Sequence, residues 1–498
     1  MNFNLLTLTV FTPMAGALAI LFVPRENKNA VRAIGTAAAA VSFLVSLALL
    51  AGFNTDVSAF PLQFVEKWDW IPTFNIQYYL GVDGLSLPLM LLTTLLTLVS
   101  LIFSFSIEER VKEYWFWFLV LDAGMLGVFC AMDLILFYVF WELCLVPMYF
   151  LIGIWGGPKK EFAAIKFFLY TLFGSVFMLL GILALYFNTT PHTFDMIEMA
   201  RQAAANPLWL PERFQILVFL AFYLAFAIKV PAFPFHTWLP LAHVEAPTAV
   251  SVILAGVLLK MGGYGLLRVS YSILPWGFKW FLPALVVIAF IGIVYGALCS
   301  MAQTDLKKMV AYSSVNHMGY CLLGIAAVNA TGFSGAMLQM VAHGLITGAL
   351  FLLVGVIYDR AHTRDISAFG GLGVRVPLYT GIMMTTAFAS LGLPGLAGFW
   401  GEFMAFLGAF QRFPLWTILS VAGLLVTAAF FLRMIQKIFL GPLNVKWSGM
   451  EEINARELAA VLPLTALTVL IGVWPKLALD LMNPTINHMI KTLEPLFK

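Results

Sequence analysis

The sequence predicts an all-α polytopic membrane protein of about 14 transmembrane helices. Three observations carry that prediction. Hydrophobic residues make up 61% of the 498 positions and charged residues only 11%, whereas a soluble domain carries roughly 25% charge. Apolar runs of about 20 residues, the length that spans a bilayer core, recur along the chain. Several of those runs also enclose single ionisable residues, which are costly in lipid and usually retained for function.

Taken in order, the predicted spans lie near 4–23, 31–52, 84–105, 114–131, 134–155, 165–187 and 214–230, the last continuing brokenly to 243. They go on near 247–270, 280–300, 306–328, 335–358, 376–411 (with a break), 415–437 and 457–482. The first apolar run has no positive charge before it and no small-residue cleavage site, so it reads as a transmembrane helix and not as a signal peptide. With the N-terminus placed outside, roughly 17 loop lysines and arginines fall on the cytoplasmic side against 9 on the other, Lys498 among the latter. That imbalance puts both termini on the outer, periplasm-like face. The longest polar pieces, 53–83 and 188–213, then lie outside and are short for a domain, so no soluble catalytic module is expected. The net charge of +3 and the lack of a basic run give no sign of nucleic-acid binding.

The stretch from Phe222 to Gly265 carries the most chemistry. An apolar helix runs to Lys229 and is broken by Pro231 and Pro234. His236, Trp238 and His243 follow, and a second apolar helix from Pro247 carries Lys260 near its middle. Each lysine at membrane depth costs about 2.5–3.5 kcal/mol on insertion scales. Lys229, near a helix end, has the alternative of snorkelling to the interface; Lys260 is flanked by apolar turns on both sides. Helices broken at membrane depth need protein or water around the freed backbone, and transporters place ion sites at such breaks. His236 and His243, at the broken span and its exit, are candidates for a proton inlet or for hydrogen bonds to the freed backbone.

Glu142 sits eight residues into its span, about 12 Å deep at 1.5 Å per residue. Unpaired, a carboxylate there takes a proton, because burial penalises its charged form. A lysine partner at about 4 Å would gain about 4 kcal/mol at an effective dielectric near 20, so approach and separation of Glu142 would hold and release the Lys229 proton. A static ion pair is the alternative. His317 and His343 fall near the middles of adjacent spans. A lone helical histidine is more often a packing residue, but two of them downstream of a buried lysine read as a proton relay. Glu402 follows a second break in LGLPGLAGFWGEF, eight residues past Pro394 and beyond the turn where a helix dipole acts. It is the carboxylate counterpart of Lys229. His192, His362 and His488 carry no prediction.

The break at LAFAIKVPAFPFHTW and the one at LGLPGLAGFWGEF lie five spans apart, each with a following tryptophan and an ionisable group. Paired interrupted helices suggest two five-helix repeats, and an odd helix number inverts the second copy. The chain therefore divides into N-terminal helices over 1–110, a first repeat over 111–272, an inverted repeat over 273–440, and a C-terminal transmembrane helix and tail over 441–498. Helices 7 and 12 are the discontinuous ones. Cys130, Cys144, Cys299 and Cys321 have no ligand spacing and read as buried free thiols, and no metal site is expected.

KVPAFPFHTWLP followed by AHVEAPTAVSVILAGVLLKMGGYGLLR resembles the antiporter-like membrane subunits of proton-pumping NADH:quinone oxidoreductase (respiratory complex I), a pattern shared by Mrp-type sodium/proton antiporters. Leu241 stands where the family often has Asp, and Val250 where it often has Gly. The resemblance extends from GVDGLSLPL at 81 to GEF at 403. FYVFWELCLVPMYFLIGIWGGPKKEFAAIKFFLYT and Glu402, where sister subunits carry lysine, are similar to the chain M (subunit 4) type; no long amphipathic arm is expected after the last span, unlike the chain L type. The resemblance implies proton transfer by Glu142, Lys229, Lys260, His317, His343 and Glu402, driven by quinone reduction elsewhere. It also implies flavin, iron–sulfur clusters and quinone in other subunits with no cofactor in this chain. Sister antiporter-like subunits of the membrane arm become the partners, in an energy-coupling membrane, most readily a bacterial inner membrane. An Mrp-type antiporter subunit is the alternative. Sodium prefers several oxygen ligands, and a Glu–Lys–Lys–His–His–Glu row suits protons better.

Overall fold

The computed structural model describes residues 4–56 and 62–497. Lys498 and positions 57–61 of the outer piece 53–83 lie outside the described residues. The chain is predominantly helical, and among the described residues ten helices are long and apolar enough to cross a membrane: Lys28–Gly52, Ser86–Ser106, Val111–Cys130, Leu134–Trp155, Lys160–Asn188, Thr248–Tyr271, Pro275–Met301, Ala330–Ala361, Pro414–Phe439 and Ala455–Val473. Helices also occupy the four remaining predicted positions. These are Leu5–Leu21, Glu212–Lys229, Leu306–Ala327, and the pair Pro377–Ser390 and Ala397–Phe410, which are shorter or more polar.

The two most enclosed helices are Thr248–Tyr271 and Ala330–Ala361, both buried among other helices along their whole apolar windows. Ala330–Ala361 packs against Leu306–Ala327 and Ala397–Phe410, so three helices bearing ionisable residues meet along one seam. By contrast, Lys160–Asn188 and Pro414–Phe439 leave one side open, with Phe162, Leu169, Phe187, Leu415 and Leu425 exposed. A membrane helix needs no polar outer face, because lipid takes the place of water there.

Four features depart from the prediction. The piece 53–83 folds as an antiparallel hairpin of Gln63–Ile71 and Ile76–Val82. Asn75, in the left-handed region at the turn, suits that turn. The last span ends at Val473 and not near 482, because Trp474 and Pro475 interrupt it; proline cannot continue the hydrogen-bond ladder. The residues beyond form a 22-residue helix, Lys476–Phe497, where a tail was expected. It buries Ala478, Met482, Ile486, Met489, Leu493 and Phe497 on one side, the spacing of an amphipathic helix. Cys299 is only half-buried, whereas Cys130, Cys144 and Cys321 are buried free thiols as expected.

Candidate functional site

Proline chemistry sets the first break. The helix Glu212–Lys229 stops where Pro231 and Pro234 remove donors from the ladder. Ala232 N–H reaches back to the Ala227 carbonyl at 2.8 Å, and the Trp238 indole donates to the Ile228 carbonyl at 2.9 Å. Backbone freed by the break is thus satisfied by protein, as membrane depth requires. Glycine sets the second break. Gly392 and Gly395 adopt φ of 83° and 91°, a region open to glycine, and a Cβ on Gly392 would stand 3.0 Å from Glu402 Oε2.

Lys260 lies between two π turns, Leu254–Leu258 and Leu266–Tyr271, which widen its helix on both sides. Its ammonium donates to the Ala255 carbonyl and lies 2.6 Å from His343 Nδ1. The His343 and His317 rings are 5.6 Å apart between centroids. His317 Nδ1 is 3.0 Å from Glu402 Oε1, and Ser390 Oγ is 3.0 Å from His317 Nε2. The Gln339 amide also approaches Glu402 Oε1, at 3.4 Å. All four ionisable members are at most 3% exposed. A cavity of about 10 Å³ lies among His317, Gln339, His343, Ser390 and Glu402, room for about one water. His343 Nε2, Gln339 Oε1 and Glu402 Oε2 have no hydrogen-bond partner among the described residues, so polar atoms converge on that space. The arrangement is a row of groups able to accept and donate protons, with one gap between His343 and His317 at the small cavity.

The Glu142–Lys229 contact expected at about 4 Å is not formed. Lys229 is buried, its Nζ has no hydrogen-bond partner among the described residues, and it stands 5.2 Å from the centroid of Trp141 and 5.8 Å from that of Phe167. Aromatic faces provide a cation with partial compensation. Glu142 is half-buried, with Oε1 unpartnered, in the last turn of Leu134–Leu143. Pro147 cannot donate to the Leu143 carbonyl, which breaks that span just after Glu142. Glu142 and Lys229 remain within electrostatic reach of each other.

His243 is fully buried, both its ring nitrogens are unpartnered, and it stacks on Phe351 at 4.7 Å. His236 packs against Phe233 and Tyr295 with Nδ1 free. The His243 ring therefore makes no hydrogen bond to freed backbone among the described residues. A cleft of about 340 Å³ opens beside the His243 segment, lined by Glu245, Thr248, Lys307, Asp359 and Arg364.

Sequence reasoning passed over several polar residues. Gln339 and Ser390 look like ordinary helix residues, and only the fold brings them to Glu402 and His317. Arg268, counted in an outer loop, and Asp83, counted in an outer polar piece, form a buried ion pair at 2.6 Å. Tyr264 joins them, accepting from Arg268 Nε at 3.0 Å. Lys307, counted in a cytoplasmic loop, is buried and donates to the Ala246 carbonyl at 2.5 Å. Asp122, within an apolar run, is fully buried. A carboxylate inside a predicted span was a visible signal for Asp122 alone.

Fold and site together define a polytopic helical membrane protein with a line of ionisable groups through its interior. Residues 131–428 match the family model described as NADH:quinone oxidoreductase/Mrp antiporter, transmembrane, and the chain belongs to that family. NADH-quinone oxidoreductase subunit M of Rhodobacter capsulatus is 46% identical over 98% of this chain and 96% of that protein. Among solved structures, a chain of respiratory complex I from Thermus thermophilus superposes with a TM-score of 0.88 at 31% identity, covering 98% of this chain and 99% of its own. A chain of the Mrp complex from a Dietzia species gives 0.85 at 21% identity over 99% of both, a likeness of fold alone. The family and its subunit M type, inferred from the motifs, are borne out.

Proposed function

We propose that the chain is the proton-translocating subunit M of an NADH:quinone oxidoreductase. The observation that carries this reading is the row Lys260–His343–His317–Glu402 in a buried helical seam, hydrogen-bonded at both ends, with the two imidazoles 5.6 Å apart between centroids. Proton transfer between such groups needs only small barriers when donor and acceptor are within hydrogen-bond reach. Lys229, with Glu142 as its movable counter-charge, loads the row from one end. The cleft beside the His243 segment supports an inlet on the cytoplasmic side. Glu402 is the last acceptor before exit.

In this reading all 14 helical positions cross the membrane, with both termini outside. The five-helix repeats cover 111–272 and 273–440, flanked by 1–110 and 441–498. The membrane is a bacterial inner membrane, and the partners are sister antiporter-like subunits. Flavin, iron–sulfur clusters and quinone belong to other chains. The row offers sodium few oxygen ligands, and the 46% identical relative is a complex I subunit while the Mrp likeness stands at 21%. Affinity purification through this chain tests the assignment: co-purification of a flavin-containing NADH-oxidising arm is expected. Recovery with a compact antiporter complex, and sodium-driven exchange without NADH, would refute it.

A further inference from the structure

Asp122 is a fully buried carboxylate with no role in the row described above. It lies eight residues before Cys130, the end of its helix, and Glu142 lies eight residues after Leu134, the start of the next. The two carboxylates therefore stand at the same depth, about 12 Å from the shared end of two antiparallel helices. The Thr97 hydroxyl donates to Asp122 Oδ1 at 2.7 Å, and Oδ2 has no hydrogen-bond partner among the described residues. An orphaned oxygen on a buried carboxylate calls for an explanation, because its desolvation is otherwise uncompensated.

Its surroundings supply one. On one side is Cys144, at the break just after Glu142. A Cβ on Gly124 would come within 3.0 Å of its sulfur, and the thiol lies within electrostatic reach of Asp122, Glu142 and Lys229 together. On the other side, Leu96, next to Thr97, fills the space over Gly256 in the π turn that precedes Lys260. The Asp122 helix also packs on the segment Leu259–Gly265, and Tyr264 donates to its Phe129 carbonyl at 3.0 Å. The helix of Asp122 thus packs on one side against the break after Glu142 and on the other against the segment of Lys260, where the row described above has no carboxylate.

We propose that Asp122 is a proton-relay carboxylate linking Lys229 to Lys260, an inference that rests on the proton-transfer reading above. The Lys229 ammonium gives up a proton, through water, to the Asp122 carboxylate, leaving a neutral amine and a neutral acid. The acid then protonates the Lys260 amine, and the carboxylate returns to its anionic form. Net charge is conserved at both steps, and burial of both partners favours the neutral intermediate.

Asp122→Asn tests this, because it keeps the shape and can still accept from Thr97 while losing the titratable proton. The whole complex carrying the change is reconstituted in sealed vesicles, and the rate of NADH-driven proton uptake is measured. Carboxyl C=O stretches are followed by redox-difference infrared spectroscopy. The expected result is at least about a tenfold fall in the rate of NADH-driven proton uptake, the effect of about 1.4 kcal/mol of barrier, with loss of one carboxyl band and partial recovery in Asp122→Glu. Wild-type uptake with unchanged bands overturns the proposal. If Asp122→Asn fails to assemble, Thr97→Val keeps the carboxyl and removes only its hydrogen bond. A shifted carboxyl band with altered uptake supports the relay, and unchanged bands and uptake refute it. Glu142→Gln runs in parallel. Normal pumping in that variant sinks the proton-transfer reading itself, whereas loss there with normal Asp122→Asn sinks the Asp122 relay alone.

Discussion

Two regions of the interior use the same residue types in opposite ways. Around Lys260 the groups are closed up: amine to imidazole, imidazole beside imidazole, imidazole to carboxylate. Around Lys229 they are held apart, with the ammonium facing aromatic rings and the Glu142 carboxylate left partly unpartnered. A closed chain passes protons along a gradient of affinity but has no means of its own to stop them. An open pair stores a charge whose position controls affinity, since bringing two charges to about 4 Å is worth about 4 kcal/mol at an effective dielectric near 20. The first region is therefore suited to conduction and the second to gating.

The largest expected effect lies in the open pair. Glu142→Gln should cut NADH-driven proton uptake by at least about tenfold while the complex still assembles, and Lys229→Ala should do similar damage. The double variant should fall short of the sum, because the two residues act as one unit. Full pumping in Glu142→Gln at normal assembly would remove the distinction between gate and row.

A static pair provides the control. Arg268–Asp83 is buried and closed at 2.6 Å, with Tyr264 and Ser86 as further partners of the guanidinium. Removing one member of such a pair leaves a buried charge, at a cost of about 3–5 kcal/mol. Asp83→Asn should accordingly lower the thermal stability of the subunit in the complex, while proton uptake per NADH in the folded fraction stays normal. A changed ratio with unchanged stability would move this pair into the functional class.

Glu402 sharpens the conducting side. Glu402→Gln removes the last titratable group and should lower both uptake and coupled NADH oxidation, by a few-fold to about tenfold. Glu402→Lys restores a titratable group of opposite sign. It should retain more activity than Gln if titration is what matters, and less if negative charge draws the proton from His317. Sealed-vesicle uptake separates the two, and wild-type behaviour of both variants would make Glu402 a structural residue.

The smallest effect belongs to the thiols. Changing Cys130, Cys144, Cys299 and Cys321 together to Ala or Ser should spare pumping, at about 0.5–2 kcal/mol of packing loss per buried site. A loss of cluster or metal content in a complex with every other subunit present would contradict this.

The sequence by itself determined the class of fold and the identities in the row. Apolar runs of bilayer length and single charges within them are local features, readable because lipid tolerates neither exposed backbone nor idle charge. Proline placement revealed the Lys229 break for the same reason. The hairpin at Gln63–Val82 and the end helix Lys476–Phe497 escaped notice because their short polar stretches carry no bilayer-length signal. Tertiary structure alone decided which charges pair. Residues 83 and 268, or 317 and 402, are far apart in sequence, and nothing in their local spacing records a contact. It likewise decided that the Lys229 ammonium faces the rings of Trp141 and Phe167 and not the Glu142 carboxylate, since that depends on how separate helices pack.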